Sequence, residues 1–335
     1  MVIGWYVHHH GYGHVARFLA VTPHLRTPVV AFSSMPRPAG LAAGVDWIEL
    51  PPDADPFPRA DGSTADPRDA DPTVRGHLHW APHDHPGHRD RLALIASTAA
   101  ERSVTALVVD VSVEVVALAR LLGLRTLAMT QPGTRTDAPH ALAYDLADAI
   151  LAPWPRGAVC ADALTAHADR VVWTGGISRF DGRERDAPRE ERSVLLLGRV
   201  VDEHVREDAV ARLRERGWDV TSAGHDPSSR VDDPWPLLAR STVVVSAAGQ
   251  NSVADLAAAG ARAVVVAQER PFDEQRDTAA ALERWGLARQ GGSGIDAAGL
   301  VALVELAAGD DPDWSRWQVD GAAARMAAAI EAALP

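Results

Sequence analysis

Short β-branched apolar runs separated by amphipathic helical stretches recur along this chain, and that alternation constrains its fold more than any other feature. It is the pattern of parallel sheets assembled from βαβ units. Strands are expected over residues 2–7, 29–32, 47–50, 106–109, 125–129 and 149–152 in the first half, and over 193–197, 219–223, 242–246 and 263–267 in the second. The two sets predict two sheets. A length of 335 residues exceeds what one hydrophobic core usually serves, in keeping with two α/β domains.

Between the sets lies Val171-Val172-Trp173-Thr174-Gly175-Gly176-Ile177, followed by a charged, proline-containing stretch over 181–192 that suits an exposed linker. The boundaries expected are 1–176 for a first Rossmann-like domain, 177–312 for a second, and 313–335 for a terminal segment. That segment carries Trp314 and Trp317, which need packing partners, and then a helix over 321–334. Residues 51–88, rich in Pro, Asp and His, are too long for an ordinary connector and read as a mobile substrate loop or a partly disordered one.

The formal net charge of -12 opposes binding to a phosphate backbone, so no nucleic-acid partner is expected. The sequence contains no lysine, which removes Schiff-base chemistry and the lysine of a P-loop. Any phosphate must be held by arginine, backbone amides or helix ends. Cys160 is the only cysteine and excludes an internal disulfide or a multi-cysteine metal site. No apolar run reads as a membrane span, and with a strand opening the sequence a cytoplasmic protein is expected.

Two loops carry candidate chemistry. The first, His8-His9-His10-Gly11-Tyr12-Gly13-His14, follows the first strand and leads into a helix with Val15, Phe18 and Leu19 on its apolar face. Gly11 and Gly13 permit a tight turn and close approach of a substrate. His14 at the helix start faces the crevice at the carboxyl ends of the strands, where it is either a general base or a structural cap. A dinucleotide fingerprint is a weaker match, because the third glycine is absent from its usual place.

The second loop joins strand 242–246 to a helix beginning near Gln250-Asn251-Ser252. Its opening amides form a positive pole suited to phosphate. Asp255, one turn in, and Gln275, at the next loop–helix junction, could reach ribose hydroxyls, and Glu274 beside it is a further substrate-binding candidate. Ser252-x-x-Asp255 also has the spacing of a capping box, and Gln275 could be an ordinary solvated residue.

Asp110 and Glu114, at a strand end and helix start, could orient His14 or bind an acceptor hydroxyl; Glu114 could equally complement the helix dipole. His77, His79, His83, His85 and His88 crowd one segment near Asp84 and Asp90, but its prolines and the absence of a helical H-E-x-x-H argue against a metal site. A polar acceptor loop is expected, with Trp80 stacking on a sugar face.

The block S-A-A-G-Q-N-S-V-A-D-L-A-A-A-G, then V-V-V-A-Q-E-R-P-F-D-E-Q and L-E-R-W-G, resembles the donor-site region of the MurG-like glycosyltransferases of family 28. The G-Y-G-H-V loop is similar to the glycine-rich amino-terminal loop of the same proteins. The resemblance implies a GT-B fold, two Rossmann-like domains facing across a cleft, and a last helix crossing back to the first. It places Asp255 at the ribose, Gln275 on the donor, and Gly249, Gln250, Asn251 and Ser252 around pyrophosphate or sugar. Where the family has a Gly/Ser-rich turn, this chain has Leu197-Gly198-Arg199-Val200-Val201, so Arg199 either supplies a charged phosphate contact or marks a degraded site.

The activity implied is transfer of a hexose from a nucleotide diphosphate sugar, UDP by resemblance with TDP or GDP open, to an undetermined acceptor hydroxyl. Inversion, His14 as base, no metal and no resident cofactor are expected. Contact with a membrane surface is left open. The rivals are a nucleotide-sugar 2-epimerase of the same fold, a non-catalytic nucleotide-sugar-binding protein and, more distantly, a dinucleotide oxidoreductase.

Overall fold

The computed structural model describes residues 1–335 apart from residues 60, 160 and 187, and of residue 227 the backbone alone. The single-cysteine reading rests on Cys160, which lies outside the described residues.

The first half builds β1 (Val2–Tyr6), α1 (Tyr12–Val21), β2 (Val29–Ser33), β3 (Val45–Glu49) and a small antiparallel pair, β4 (Phe57–Pro58) with β5 (Thr64–Ala65). It continues through α2 (Pro86–Glu101), β6 (Val104–Asp110), α3 (Val113–Leu121), β7 (Arg125–Met129), α4 (Ala138–Leu146), β8 (Ala149–Ala152) and β9 (Val171–Trp173). The second half builds β10 (Glu190–Leu197), α5 (Glu203–Glu215), β11 (Asp219–Ala223), α6 (Trp235–Arg240), β12 (Ser241–Ala247) and α7 (Gln250–Ala258). After these come β13 (Arg262–Val266), α8 (Glu274–Arg284), β14 (Arg289–Gly291), α9 (Ala297–Ala307) and α10 (Ala322–Ala332).

Two parallel sheets result, ordered β3-β2-β1-β6-β7-β8-β9 and β11-β10-β12-β13-β14. Their central strands are apolar on both faces because helices cover both: Leu107, Val108 and Val109 of β6 and Val243, Val244 and Val245 of β12 are fully buried. In the first sheet the strand order reverses between β1 and β6, and in the second between β10 and β12. Crevices for ligands open at such reversals, outside the carboxyl ends of the strands. The loops following β1, β6 and β12 are those singled out in the sequence.

Four sequence expectations need correction. Val171–Trp173, read as part of the interdomain segment, is the half-buried edge strand β9, paired with β8. β10 begins at Glu190, inside the stretch read as linker, because Glu190 pairs with Ser241 before the register shifts. β14 was not expected, since an edge strand reading Arg-Gln-Gly has no apolar pattern. Residues 51–88, apart from residue 60, are folded onto the first domain, where Phe57, Ala65 and Ala70 form a small core of their own.

Trp314 and Trp317 are buried on the second domain: Trp314 Nε1 donates to the Ala261 carbonyl at 2.8 Å, and Trp317 meets Trp285 edge-on. The chain then returns to the first domain. Met326 and Ile330 of α10 are fully buried in the cluster containing Ile3, Trp5 and Phe18, each side chain contributing about 1.5–3 kcal/mol. Glu331 fastens the helix by accepting from the amides of Arg26 and Thr27 at 2.8 and 2.9 Å.

Candidate active site

Gly11, with φ of 99°, turns the backbone out of β1 and caps α1, a conformation an L side chain resists. His14 then lies in the first turn of α1, and β6, the neighbour of β1, ends at Asp110. Their side chains meet at the reversal point: His14 Nδ1 lies 2.9 Å from Asp110 Oδ2, both nearly buried.

Arg17, one turn further along α1, completes the group. Its Nη2 donates to Asp110 Oδ1 at 2.9 Å and Oδ2 at 3.0 Å. Burial opposes ionisation of Asp110, but the Arg17 charge, the neighbouring His14 and the hydrogen bonds from both outweigh it and hold the carboxyl well below the usual range. His14 Nδ1 lies between Asp110 Oδ2 and Arg17 Nη2, 3.2 Å from the latter; with its proton on Nδ1, turned to the ionised carboxylate, the ring keeps the Nε2 lone pair free.

The second domain reaches this group directly. Arg17 Nη1 donates to Gln250 Oε1 at 3.1 Å, and Asn251 Nδ2 donates to the Gly13 carbonyl at 2.6 Å. Gln250 and Asn251 open α7, whose cap is Gly249 without a side-chain hydrogen bond. The amides of 250–252 therefore lack intrahelical partners. Ser252 is the third helical residue and Asp255 the sixth, so the capping box does not form. Asp255 Oδ1 instead accepts from Ser178 Oγ at 2.7 Å, and Arg179 lies 3.6 Å from its other oxygen. Burial outweighs both and pushes the Asp255 carboxyl up to about 6.

Gln275 is buried, not solvated, and its Oε1 accepts from the Gln268 amide at 2.9 Å, tying the loop after β13 to α8. Burial raises Glu274 above the usual carboxylate range, with Arg135, Arg17 and His14 pulling it back. Arg199 is exposed in the turn after β10, adjacent to the α7 loop at the second reversal point.

A cavity of about 410 Å³ opens beside His8, His9 and His10, with Trp80 and Phe272 among its walls. His8 stacks on His9, and burial together with the neighbouring imidazoles holds both low, His9 at about 4, so both are neutral at pH 7. Glu114 faces this cavity as a fastener. Its Oε1 accepts from the amides of His79 and Trp80 at 2.7 and 2.9 Å, and Oε2 from Ser112 Oγ at 3.0 Å.

Of the 77–88 cluster, His79 meets Asp137 and His140 rather than the nearby aspartates of its own segment. Phe272, with φ of 63°, comes from the second domain and seats its ring against His79 and His140. Its carbonyl accepts from the Thr134 amide at 2.8 Å, and a side chain at Gly133 would stand 2.0 Å from that oxygen.

Among solved structures, the chain is similar over its whole length to the glycotransferase of kitacinnamycin (16% identity, TM-score 0.68, covering 100% of this chain and 99% of that one). It is similar too to MurG of Acinetobacter baumannii (15% identity, TM-score 0.62, 99% of each chain) and to spinosyn rhamnosyltransferase SpnG in complex with thymidine diphosphate (17%, 0.62, 100% and 97%). This chain has the GT-B fold. No protein-family profile and no curated protein matches its sequence. Identities this low carry the GT-B architecture and no particular chemistry.

The GT-B cleft explains why Gly13, His14, Gln250 and Asn251 converge although the sequence holds them more than two hundred residues apart. Sequence reasoning missed Arg17, Arg135, Asp137 and Phe272. For Arg17 a signal existed, since it follows His14 at i+3 and shares its helix face. Among the described residues no helix is long and apolar enough to cross a membrane.

Proposed function

We propose that this chain is a glycosyltransferase that moves a hexose from a nucleotide diphosphate sugar to an acceptor hydroxyl with inversion. The observation that carries the reading is the His14–Asp110 pair standing across the cleft from the uncapped amino-terminus of α7, with Arg17 joined to both sides. A base with a free nitrogen and a phosphate-binding helix end are the two devices this reaction requires.

Acceptor binds in the cavity beside His8–His10, and donor pyrophosphate meets the amides of 250–252 and Arg199. His14 Nε2 takes the proton of the acceptor hydroxyl as its oxygen forms the bond to the anomeric carbon. The bond from that carbon to the phosphate oxygen breaks, and the nucleoside diphosphate leaves. Asp110 stabilises the imidazolium without taking its proton, as carboxylates in such pairs do. One displacement from the opposite face inverts the anomeric centre. Asp255 and Gln275 belong to the donor side, Asp255 toward ribose. The family resemblance favours UDP, and the reaction as written needs neither metal nor resident cofactor.

Calorimetry with UDP, TDP and GDP tests the donor site without knowledge of the acceptor, and His14→Ala tests the chemistry. We expect micromolar binding of one nucleotide in both proteins, with turnover reduced about 10²–10⁴-fold in the variant. Failure of all three nucleotides to bind, or full turnover by His14→Ala, refutes the assignment.

A further inference from the structure

His79, Asp137 and His140 bring three ligand-type side chains together, their atoms all within 4.8 Å of one another. Such a set suggests a cation site, but Arg135 decides otherwise. Its Nη1 lies 3.0 Å from His140 Nε2, and a guanidinium can only donate. Gln131 and Pro132 hold the same guanidinium in place through Nε and Nη2. His140 Nε2 is therefore an acceptor, and its proton sits on Nδ1, directed at Asp137 Oδ1. A nitrogen carrying that proton cannot ligate a metal, and a fixed positive charge stands behind it.

The protons can be followed one bond further. Asp137 is held below the usual carboxylate range, with burial opposing and hydrogen bonds from His79 and His140 prevailing. Its Oδ2 lies 2.7 Å from His79 Nε2, so His79 donates there. In the neutral ring this leaves Nδ1 as a bare acceptor. Nδ1 has no hydrogen-bond partner among the described residues and is not a buried unsatisfied atom, and His79 lines the cavity beside His8–His10. Glu114 pins the backbone at His79, and Phe272 packs on its ring.

The other carboxylates around this cavity are already occupied: Asp53 by Arg91 and Glu114 by two amides and Ser112. We propose that His79 is a second hydrogen-bond-accepting post in this cavity. It binds a hydroxyl or N–H of the acceptor other than the one that reacts, so the acceptor carries at least two such donors. His79 is a positioning residue here, set by Asp137 and, through it, by His140 and Arg135. The inference rests on reading this cavity as the acceptor site.

The test uses the nucleotide-free protein and two classes of probe, 2-naphthol and its 2,3-, 2,6- and 2,7-dihydroxy relatives, whose spacings bracket the unknown geometry. Calorimetry should find at least one diol binding about five- to tenfold more tightly than 2-naphthol, the worth of one added hydrogen bond. His79→Phe should erase that difference, read as the ratio of diol to 2-naphthol affinity measured within the variant. Long-range ¹H–¹⁵N spectra should show the His79 proton on Nε2, moving to Nδ1 in Asp137→Asn. Equal binding of mono- and dihydroxy probes, a diol preference that survives His79→Phe, or no binding by any probe overturns the inference. Binding of UDP, TDP or GDP is scored separately, so loss of the proposed function and loss of the second post remain distinct results.

Discussion

Arg17 Nη1 donates to Gln250 Oε1 at 3.1 Å, so one guanidinium joins the first helix of the first domain to α7 of the second, whose opening amides have no side-chain cap. The same side chain neutralises Asp110. In the mechanism proposed above, donor side and base are thereby linked through a single residue.

Arg17→Ala should therefore do more than weaken a contact. It strands the Asp110 carboxylate, 1% exposed, without its main counter-charge, which costs roughly 3–5 kcal/mol. Urea unfolding should show that loss, and Arg17→Ala with Asp110→Asn should recover part of it. A loss below about 1 kcal/mol in the single variant would mean that water, not Arg17, satisfies the carboxylate.

Asp255 gives a pH dependence with a definite sign. Its folded-state carboxyl is raised to about 6 from an ordinary value of 3.8, so the folded protein binds the proton more tightly than the unfolded chain. The resulting stabilisation is complete below about pH 4 and is lost as pH rises through about 6, to the extent of some 2–3 kcal/mol. Asp255→Asn cannot ionise and should be less sensitive over that window. Denaturation of both proteins at pH 4.5, 6 and 7.5 measures it, and parallel curves would remove the assignment.

Gly133→Ala should pry the cleft open. The added methyl would stand 2.0 Å from the Phe272 carbonyl oxygen, which accepts from the Thr134 amide. Gly157→Ala is the matched control, since its backbone φ is also positive but its side chain would meet open space. We expect a larger radius of gyration by small-angle scattering for Gly133→Ala alone. Equal radii for the two variants would show that this contact does not set the interdomain angle.

Glu114→Ala should free the segment that forms one wall of the cavity. Two amides lose a charged acceptor, so hydrogen exchange at His79 and Trp80 should accelerate about 10–100-fold while nucleotide binding stays unchanged. Exchange at the wild-type rate would assign the wall's order to some other contact.

The parallel sheets were legible because residues such as Val108 and Val244 sit in runs buried on both faces, a signal that survives without context. Gly11, His14 and the α7 loop were legible because tight turns and helix starts need particular residues locally. The remainder depends on contacts no local pattern encodes. In an arginine-rich, lysine-free chain, Arg17 carries no mark of its burial until the helix periodicity beside His14 is considered. Phe272 looks like any loop aromatic, although it ends between two imidazoles of the other domain. Ser252 and Asp255 show how spacing misleads: the helix starts at Gln250, not at the residue the capping pattern indicates, so Asp255 is left to Ser178.

Helix α10 covers the floor formed by Ile3, Trp5 and Phe18, yet it is synthesised some three hundred residues after them. The half of the molecule that emerges first from the ribosome thus keeps a bare oily face until the last helix arrives. Its completion must wait for the other half, and nascent chains stalled before residue 322 should be the species that chaperones hold.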